Sequence, residues 1–191
     1  MRILTDNRCE DIKQEVSFMF EECEISSYPI DCFDIANKLY YVLKPYSSLT
    51  PEEYMNALCI DPDGFSRVEI NPTTGMNQYV IYYNDYAQYE RMRWTIFHEI
   101  GHIYLGHHDN PDDSNSATEE AEANFFAKYA IAPPPLIAIT HCSDASDIAS
   151  IFCVSAEASE YSYEYYMKWM KYGPRCYASY ERRMLRLFLA A

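Results

Sequence analysis

The segment 94–102, with the sequence WTIFHEIGH, carries two histidines and a glutamate at the spacing of a hydrolytic metal centre. His98 and His102 are four residues apart, so in a helix both side chains project from one side and can bind the same ion. Glu99 lies beside that side of the helix, where it can take a proton from a metal-bound water without being a ligand. Because zinc lowers the pKa of such a water from 15.7 to roughly 7, the pattern predicts a hydrolytic zinc site.

The residues around this pattern favour a metal site over a chance occurrence of histidines on an ordinary helix. Residues 97–105 are strongly apolar, which predicts that the helix is buried. A buried His-Glu-His cluster without a metal would leave polar groups unpaired at a high cost in free energy. Gly101 lies between the two histidines although glycine costs a helix roughly 1 kcal/mol relative to alanine. We therefore expect another group to approach the backbone closely at Gly101.

A catalytic zinc needs a third protein ligand, which leaves the fourth position for water. His108 is one candidate, because it follows His102 by six residues, as the third histidine does in the H-E-x-x-H-x-x-G-x-x-H peptidases. Those peptidases require a glycine where this chain has Leu105. Gly106 is better explained as a helix C-cap, which predicts that His107 and His108 are exposed beyond the end of the helix.

The alternative third ligand is a glutamate on a second helix, in the segment 119–124 (EEAEAN). Glu119 fits a capping box with Ser116 at the start of that helix. Glu120 shares a helix face with Asn124, which we expect to hold a ligand histidine through its other ring nitrogen. Glu122 lies about 200° around the helix from Glu120. We therefore select Glu120 as the third ligand, with Glu122 as the alternative.

The elements that must position these residues predict an α+β fold. Turn-forming residues at 61–64 and 71–75 precede strands over about 65–70 and 78–83, which we expect to pair as an antiparallel hairpin. Apolar periodicity and capping residues predict helices over about 11–23, 31–44, from 51 onward, and over 89–106, 116–130, 136–140, 144–152, 155–172 and 178–190.

The expected architecture is a small antiparallel sheet packed on the H-E-x-x-H helix and on a second, ligand-bearing helix, followed by a helical C-terminal segment. We expect a core over residues 1–135, formed by N-terminal helices, the hairpin and the zinc-binding helices. Residues 136–191 form the C-terminal segment, which we expect to pack on that core.

The composition limits the classes of partner and the compartment. The chain has 191 residues and a formal charge of −14, which opposes direct binding to nucleic acids and to anionic membranes. Its seven cysteines are scattered and form no C-x-x-C pair, and the N-terminus carries no secretory signal. We therefore expect reduced thiols and a cytoplasmic protein. No apolar run approaches the roughly 18 residues that a transmembrane helix needs.

Two segments together resemble a known family. They are RMRWTIFHEIGHIYLGH at residues 91–107 and EAEANFFA at residues 120–127, followed by the prolines at 133–135. Over about residues 30–135 the chain resembles the ImmA/IrrE-type metallopeptidases. The resemblance implies a gluzincin-like site, in which two histidines and one glutamate bind Zn²⁺; here these are His98, His102 and Glu120. Asn124 stands where related zinc peptidases often have aspartate.

The better-known members of that family relieve transcriptional repression by cleaving a helix-turn-helix repressor that is often encoded beside them on a mobile element or prophage. The resemblance therefore implies a zinc-dependent endopeptidase with a protein substrate of that kind. One alternative is a zinc-binding regulatory module that inactivates its partner without cleavage, and another is a hydrolase of a different small amide. Glu99 favours cleavage, because a purely structural zinc site does not need it.

In the expected mechanism Glu99 deprotonates the attacking water and passes the proton to the leaving amine. We expect the substrate to lie antiparallel along the strand Gln78–Tyr83. An oxyanion-stabilising side chain is also expected, and Tyr104 and His141 are candidates between which the sequence does not decide.

Overall fold

The computed structural model describes residues 4–109, 116–173 and 176–190. It confirms the α+β class: a small sheet packs among helices, and the C-terminal part is helical. In chain order the elements are α1 (Asp6–Glu22), α2 (Cys32–Lys38), β1 (Val42–Pro45), α3 (Pro51–Ile60), β2 (Gly64–Ile70), β3 (Asn77–Tyr83), α4 (Tyr89–Tyr104), α5 (Ser116–Ile131), α6 (Pro134–Ile139), α7 (Ala145–Phe152), α8 (Ala156–Tyr172) and α9 (Ser179–Leu189), with 3₁₀ turns at Tyr46–Ser48 and His107–Asp109.

The sheet has three strands in the order β1-β3-β2, and it is mixed where we expected it to be antiparallel. The predicted hairpin is confirmed: β2 and β3 are antiparallel, with Ser66 opposite Ile81. The additional strand, β1, runs parallel to β3, with Val42 opposite Val80. The predicted helix over 31–44 is wrong in its second half, because α2 ends at Lys38. The backbone hydrogen bonds of residues 42–45 are made to a strand far along the chain, which local periodicity does not reveal.

This strand order corrects the expected position of the substrate. β3 is the central strand, and its residues from Val80 to Tyr83, most of the expected segment 78–83, are paired on both sides. A substrate cannot add to it as a further strand, and that prediction is wrong. The edge of the sheet beside α4 is β2, because β2 pairs only with β3 among the described strands.

Helix α4 lies between the sheet and α5, and close contacts on each side define its position. Gly64 begins β2, and a Cβ atom there would lie 2.6 Å from Cγ2 of Thr95, so the absence of a side chain lets β2 lie against α4. On the opposite side, a Cβ atom on Gly101 would lie 3.0 Å from Cδ1 of Phe126 in α5. The close approach expected at Gly101 is therefore that of the second helix.

The C-terminal helices share the main hydrophobic core with α4. Ile148, Phe152 and Met184 are fully buried in the same cluster as residues of α1, α4 and α5. The guanidinium of Arg93, only 2% exposed, donates hydrogen bonds to the carbonyl oxygens of Phe152, Cys153 and Ile30. These contacts tie the end of α7 to α4, and the division of the chain near residue 135 stays a prediction.

The four predicted C-terminal helices and the two flanking the site all form within two residues of their expected bounds. Among the helices of the described residues, none combines the length and the apolar character needed to cross a membrane.

Candidate metal centre

The structure brings the three predicted metal ligands together. His98 and His102 project from successive turns of α4, and their Nε2 atoms lie 3.0 Å apart. Glu120, in the first turns of α5, places Oε1 3.2 Å from Nε2 of His102 and Oε2 3.5 Å from Nε2 of His98. Ligand atoms around a tetrahedral zinc are separated by about 3.3 Å when each lies about 2.0–2.1 Å from the metal. The donor atoms therefore have the mutual spacing of three corners of such a tetrahedron.

The histidine donors also have the protonation state that a cation needs. Burial lowers the pKa of His98, against the attraction of Glu120. Burial, together with the neighbouring His98 and His107, lowers the pKa of His102 to about 3. At neutral pH both rings are uncharged, so each has one nitrogen lone pair to donate. Two imidazoles and one carboxylate form the donor set typical of a catalytic zinc, and they fit the ion.

Glu99 lies next to this donor set but does not belong to it. The residue is 7% exposed, and burial raises the pKa of its carboxyl group to about 7. The hydroxyl of Ser66 on β2 donates a hydrogen bond to Oε2 of Glu99 at 2.6 Å, which partly offsets the effect of burial. A carboxyl group with a pKa near neutrality can both accept and release a proton at physiological pH, as a general base and acid must.

Ser66 links Glu99 to a second imidazole. Oγ of Ser66 lies 2.9 Å from Nε2 of His108. Because the single hydroxyl proton of Ser66 is donated to Glu99, Nε2 of His108 must supply the proton of the second bond. His108 therefore belongs to the wall of the site and lies outside the group of converging ligand atoms formed by His98, His102 and Glu120. Sequence reasoning missed Ser66, since only the placement of β2 against α4 gives it a partner.

His107 also has a different environment from the one predicted. We expected an exposed histidine at the helix end, but its side chain is only 6% exposed. Nδ1 of His107 lies 3.0 Å from Nδ1 of His102, and its Nε2 lies 3.1 Å from Oε2 of Glu122. Glu122 in turn forms an ion pair with Arg8 of α1. Glu122, the alternative ligand, points away from the donor set as its helical position predicted.

Four other expectations about side chains near the site have separate outcomes. Asn124 lines the cavity, but its amide donates to the carbonyl oxygen of Glu120, and Nδ1 of His98 is buried with no hydrogen-bond partner among the described residues. A side-chain hydrogen bond with Asn124 raises the pKa of His98 against the effect of burial, but Nδ1 of His98 is not its partner, so the predicted bond through the other ring nitrogen stays a prediction. The hydroxyl of Tyr104 bonds to Glu22, away from the cavity. His141, the other oxyanion candidate, is exposed and does not line the cavity. The predicted capping box depends on the side chain of Ser116, which lies outside the described residues.

The donor set opens into a cavity of about 460 Å³. Besides the residues already described, Asp61, Asp63 and Arg91 line it, and Arg91 forms an ion pair with Asp63. The groups in the cavity are predominantly acidic, and β2 forms one wall of it. The cavity is large enough for side chains of a bound peptide to reach the donor set.

A small mixed sheet, a helix carrying H-E-x-x-H, and a carboxylate from the next helix define the class of metallopeptidases built on that motif. A family model described as the IrrE N-terminal-like domain of the M78 peptidases matches residues 60–163, more than half of the chain. The chain therefore belongs to the ImmA/IrrE family of M78 peptidases. The matched segment contains His98, Glu99, His102 and Glu120. A comparison with curated proteins finds no match.

Proposed function

We propose that this protein is a zinc-dependent endopeptidase whose substrate is a helix-turn-helix transcriptional repressor. One observation carries the proposal: Nε2 of His98, Nε2 of His102 and the carboxylate of Glu120 converge at 3.0–3.5 Å from one another, directly beside the buried Glu99. A site that only held a metal for structural purposes would gain nothing from a carboxyl group with a pKa near 7 that it does not use as a ligand.

In this proposal the side chains of α4 and α5 divide the chemistry. His98, His102 and Glu120 hold the metal. A bound zinc ion supplies Lewis acidity, which makes water more acidic and polarises the scissile carbonyl group. Glu99 accepts the proton of the attacking water and then delivers it to the nitrogen of the leaving amine. Ser66 donates a hydrogen bond to Oε2 of Glu99 and thereby restricts the orientation of its carboxyl group.

The edge of the sheet supports an extended substrate. β2 lies at the edge of the sheet beside α4, and Ser66 in its middle contacts Glu99. A peptide that pairs with β2 as an additional strand passes the donor set with its backbone extended, and main-chain hydrogen bonds hold it independently of its sequence. The substrate must therefore expose an unfolded segment, such as a linker between domains. The formal charge of −14 and the acidic cavity favour segments that are neutral or basic.

Family membership supports a repressor as the substrate, since the better-known ImmA/IrrE-type peptidases act on such proteins. We test it with the zinc-loaded protein and the repressor encoded beside its gene, by following cleavage of the repressor by mass spectrometry. We expect cleavage at one peptide bond in an interdomain segment. The Glu99→Gln variant should lower the rate by about 10²- to 10⁴-fold while it retains zinc, because only the proton transfer is lost.

Glu69→Gln is the matched control, since it makes the same chemical change on the other face of β2. It should cleave at the wild-type rate. If wild type and Glu99→Gln both leave the repressor intact but relieve repression equally, the endopeptidase proposal is wrong. The protein is then a zinc-binding module that inactivates its partner by binding.

A further inference from the structure

A continuous series of hydrogen bonds leads from His102 to the N-terminal helix. Nδ1 of His102 bonds to Nδ1 of His107 at 3.0 Å, and Nε2 of His107 bonds to Oε2 of Glu122 at 3.1 Å. Glu122 receives two hydrogen bonds from Arg8, from Nε at 2.8 Å and from Nη2 at 2.7 Å. The series therefore connects a proposed metal ligand to a residue 114 positions away from Glu122 in the sequence.

Arg8 determines which atom donates and which atom accepts in every hydrogen bond of this series. Arg8 can only donate, because a guanidinium has no acceptor atom. Both carboxylate oxygens of Glu122 accept hydrogen bonds from Arg8, Oε1 from Nε and Oε2 from Nη2, so Glu122 presents an acceptor to His107. Nε2 of His107 must therefore donate to Glu122. With that ring proton on Nε2, Nδ1 of His107 carries a lone pair and accepts a hydrogen bond from the Nδ1–H of His102.

The hydrogen bond between His102 and His107 decides which ring nitrogen of His102 carries the proton and which carries the lone pair. With its proton on Nδ1, a neutral His102 has its lone pair on Nε2, the atom that lies 3.0 Å from Nε2 of His98 and 3.2 Å from Glu120. We propose that His107, Glu122 and Arg8 are positioning residues that hold His102 in the tautomer and orientation that bind the metal. This inference rests on the proposed metal site.

The two proposed histidine ligands differ in this respect. Nδ1 of His98 is buried without a hydrogen-bond partner among the described residues, so no comparable series orients its ring. Carboxylates and carbonyls that hold a ligand histidine through its second nitrogen commonly contribute about 10- to 100-fold to metal affinity. Among the described residues, Nδ1 of His102 has such a partner and Nδ1 of His98 has none. Arg8 lies outside residues 60–163, so α1 contributes to the centre from beyond the matched segment.

The first test reads the tautomers directly in the metal-free protein, by NMR of ¹⁵N-labelled histidine rings. In the wild type we expect the proton of His102 on Nδ1 and that of His107 on Nε2. In Glu122→Gln the side-chain amide replaces an acceptor-only carboxylate, so we expect His102 to populate both tautomers. A His102 ring with its proton on Nε2 in the wild type overturns the inference, whether or not the protein cleaves anything.

The second test measures the dissociation constant for zinc by competition with a chromophoric chelator. Glu122→Gln and Arg8→Gln should weaken zinc binding by about 10- to 100-fold, with the smaller loss at Arg8, the more exposed end of the series. Lys13→Met is the matched control: it removes a cation that pairs with Glu10 on the same helix and has no contact with His107. It should bind zinc as the wild type does.

The outcomes separate this inference from the proposed function. If the wild type binds zinc tightly and both variants bind it equally well, the positioning role is wrong and the metal site stands. If the wild type binds no zinc, the proposed metal site fails, and the inference that rests on it fails with it. Should Glu122→Gln not fold, Arg8→Gln decides alone, because the Arg8 side chain is 36% exposed and its replacement leaves no cavity in the core.

Discussion

Two clusters of polar side chains lie on opposite faces of strand β2, and they are built differently. Successive side chains of a strand alternate between the two faces of a sheet, so Ser66 faces α4 whereas Arg67 and Glu69 point to the other side. There Glu69 accepts hydrogen bonds from Lys44 at 2.9 Å, from Arg67 at 2.7 Å and from the hydroxyl of Tyr82 at 2.5 Å. In this outer cluster the negative charge has its positive partners within the protein.

The cluster on the α4 face lacks such partners. His98, His102 and Glu120 direct lone pairs at one region of space, and among the described residues no lysine or arginine forms an ion pair with Glu120. Arg91 lies in the same cavity, but it is paired with Asp63. A cluster of paired charges is stable by itself, whereas converging acceptors need a cation from outside. This difference marks the α4 face as the candidate metal centre, whereas the charges of the outer cluster are balanced within the protein.

The largest expected effect is the loss of zinc binding in Glu120→Gln. An amide has one weak acceptor atom in place of a charged carboxylate, so we expect the dissociation constant for zinc to rise by about 1,000-fold, or about 4 kcal/mol. Glu69→Gln, the same change in the outer cluster, should leave zinc affinity unchanged. Chelator competition measures both. Equal zinc affinities for the two variants would contradict the distinction between the clusters.

The next largest effect is the contribution of Glu99, on the α4 face, to the pH dependence of the free energy of unfolding. Burial raises the pKa of Glu99 from 4.5 to about 7 in the folded, metal-free protein. The folded state therefore binds this proton more tightly than the unfolded state. Its contribution to the free energy of unfolding is fully present below about pH 4.5 and is lost as the pH rises through about 7.

Glu99→Gln has no carboxyl group to titrate at this position. Its free energy of unfolding, relative to that of the wild type, should therefore increase by about 2–3 kcal/mol between about pH 4.5 and pH 8. Urea denaturation with a chelator present measures the free energy of unfolding of both proteins across that range. A difference that stays constant with pH would show that folding does not change the pKa of Glu99.

The smallest effect has the opposite sign and belongs to the outer cluster. Burial opposes ionisation of Glu69, but hydrogen bonds from Tyr82, Lys44 and Arg67 lower the pKa of its carboxyl group to about 2. Its stabilising contribution is present above about pH 4.5 and is lost as the pH falls through about 2. Glu69→Gln should be less stable than the wild type at neutral pH by on the order of 1 kcal/mol, because the cluster is partly exposed.

That deficit should shrink as the pH falls toward about 3, and the same urea titration measures it. A deficit that grows on acidification would mean that Glu69 is protonated in the folded protein, and the outer cluster would then not be a set of paired charges.

Local patterns predicted the elements that carry the site. The apolar periodicity of α4 and the four-residue spacing of His98 and His102 depend only on helix geometry. That geometry repeats from residue to residue, so it can be recognised in the sequence. The pairing of β2 with β3 followed from turn residues close in sequence. β1 was missed because its partner is distant: Val42 pairs with Val80. That strand also moves β3 to the centre of the sheet, and so the expected substrate position was wrong.

The sequence by itself determined that two imidazoles and a glutamate would lie on adjacent turns of one helix, because helical geometry is local. Only the tertiary structure decided what surrounds them. The packing of Phe126 against Gly101 brings Glu120 to the histidines, and the placement of β2 brings Ser66 to Glu99. The burial of His107 between His102 and Glu122 likewise depends on contacts between separate elements, whose side chains have no fixed spacing along the chain.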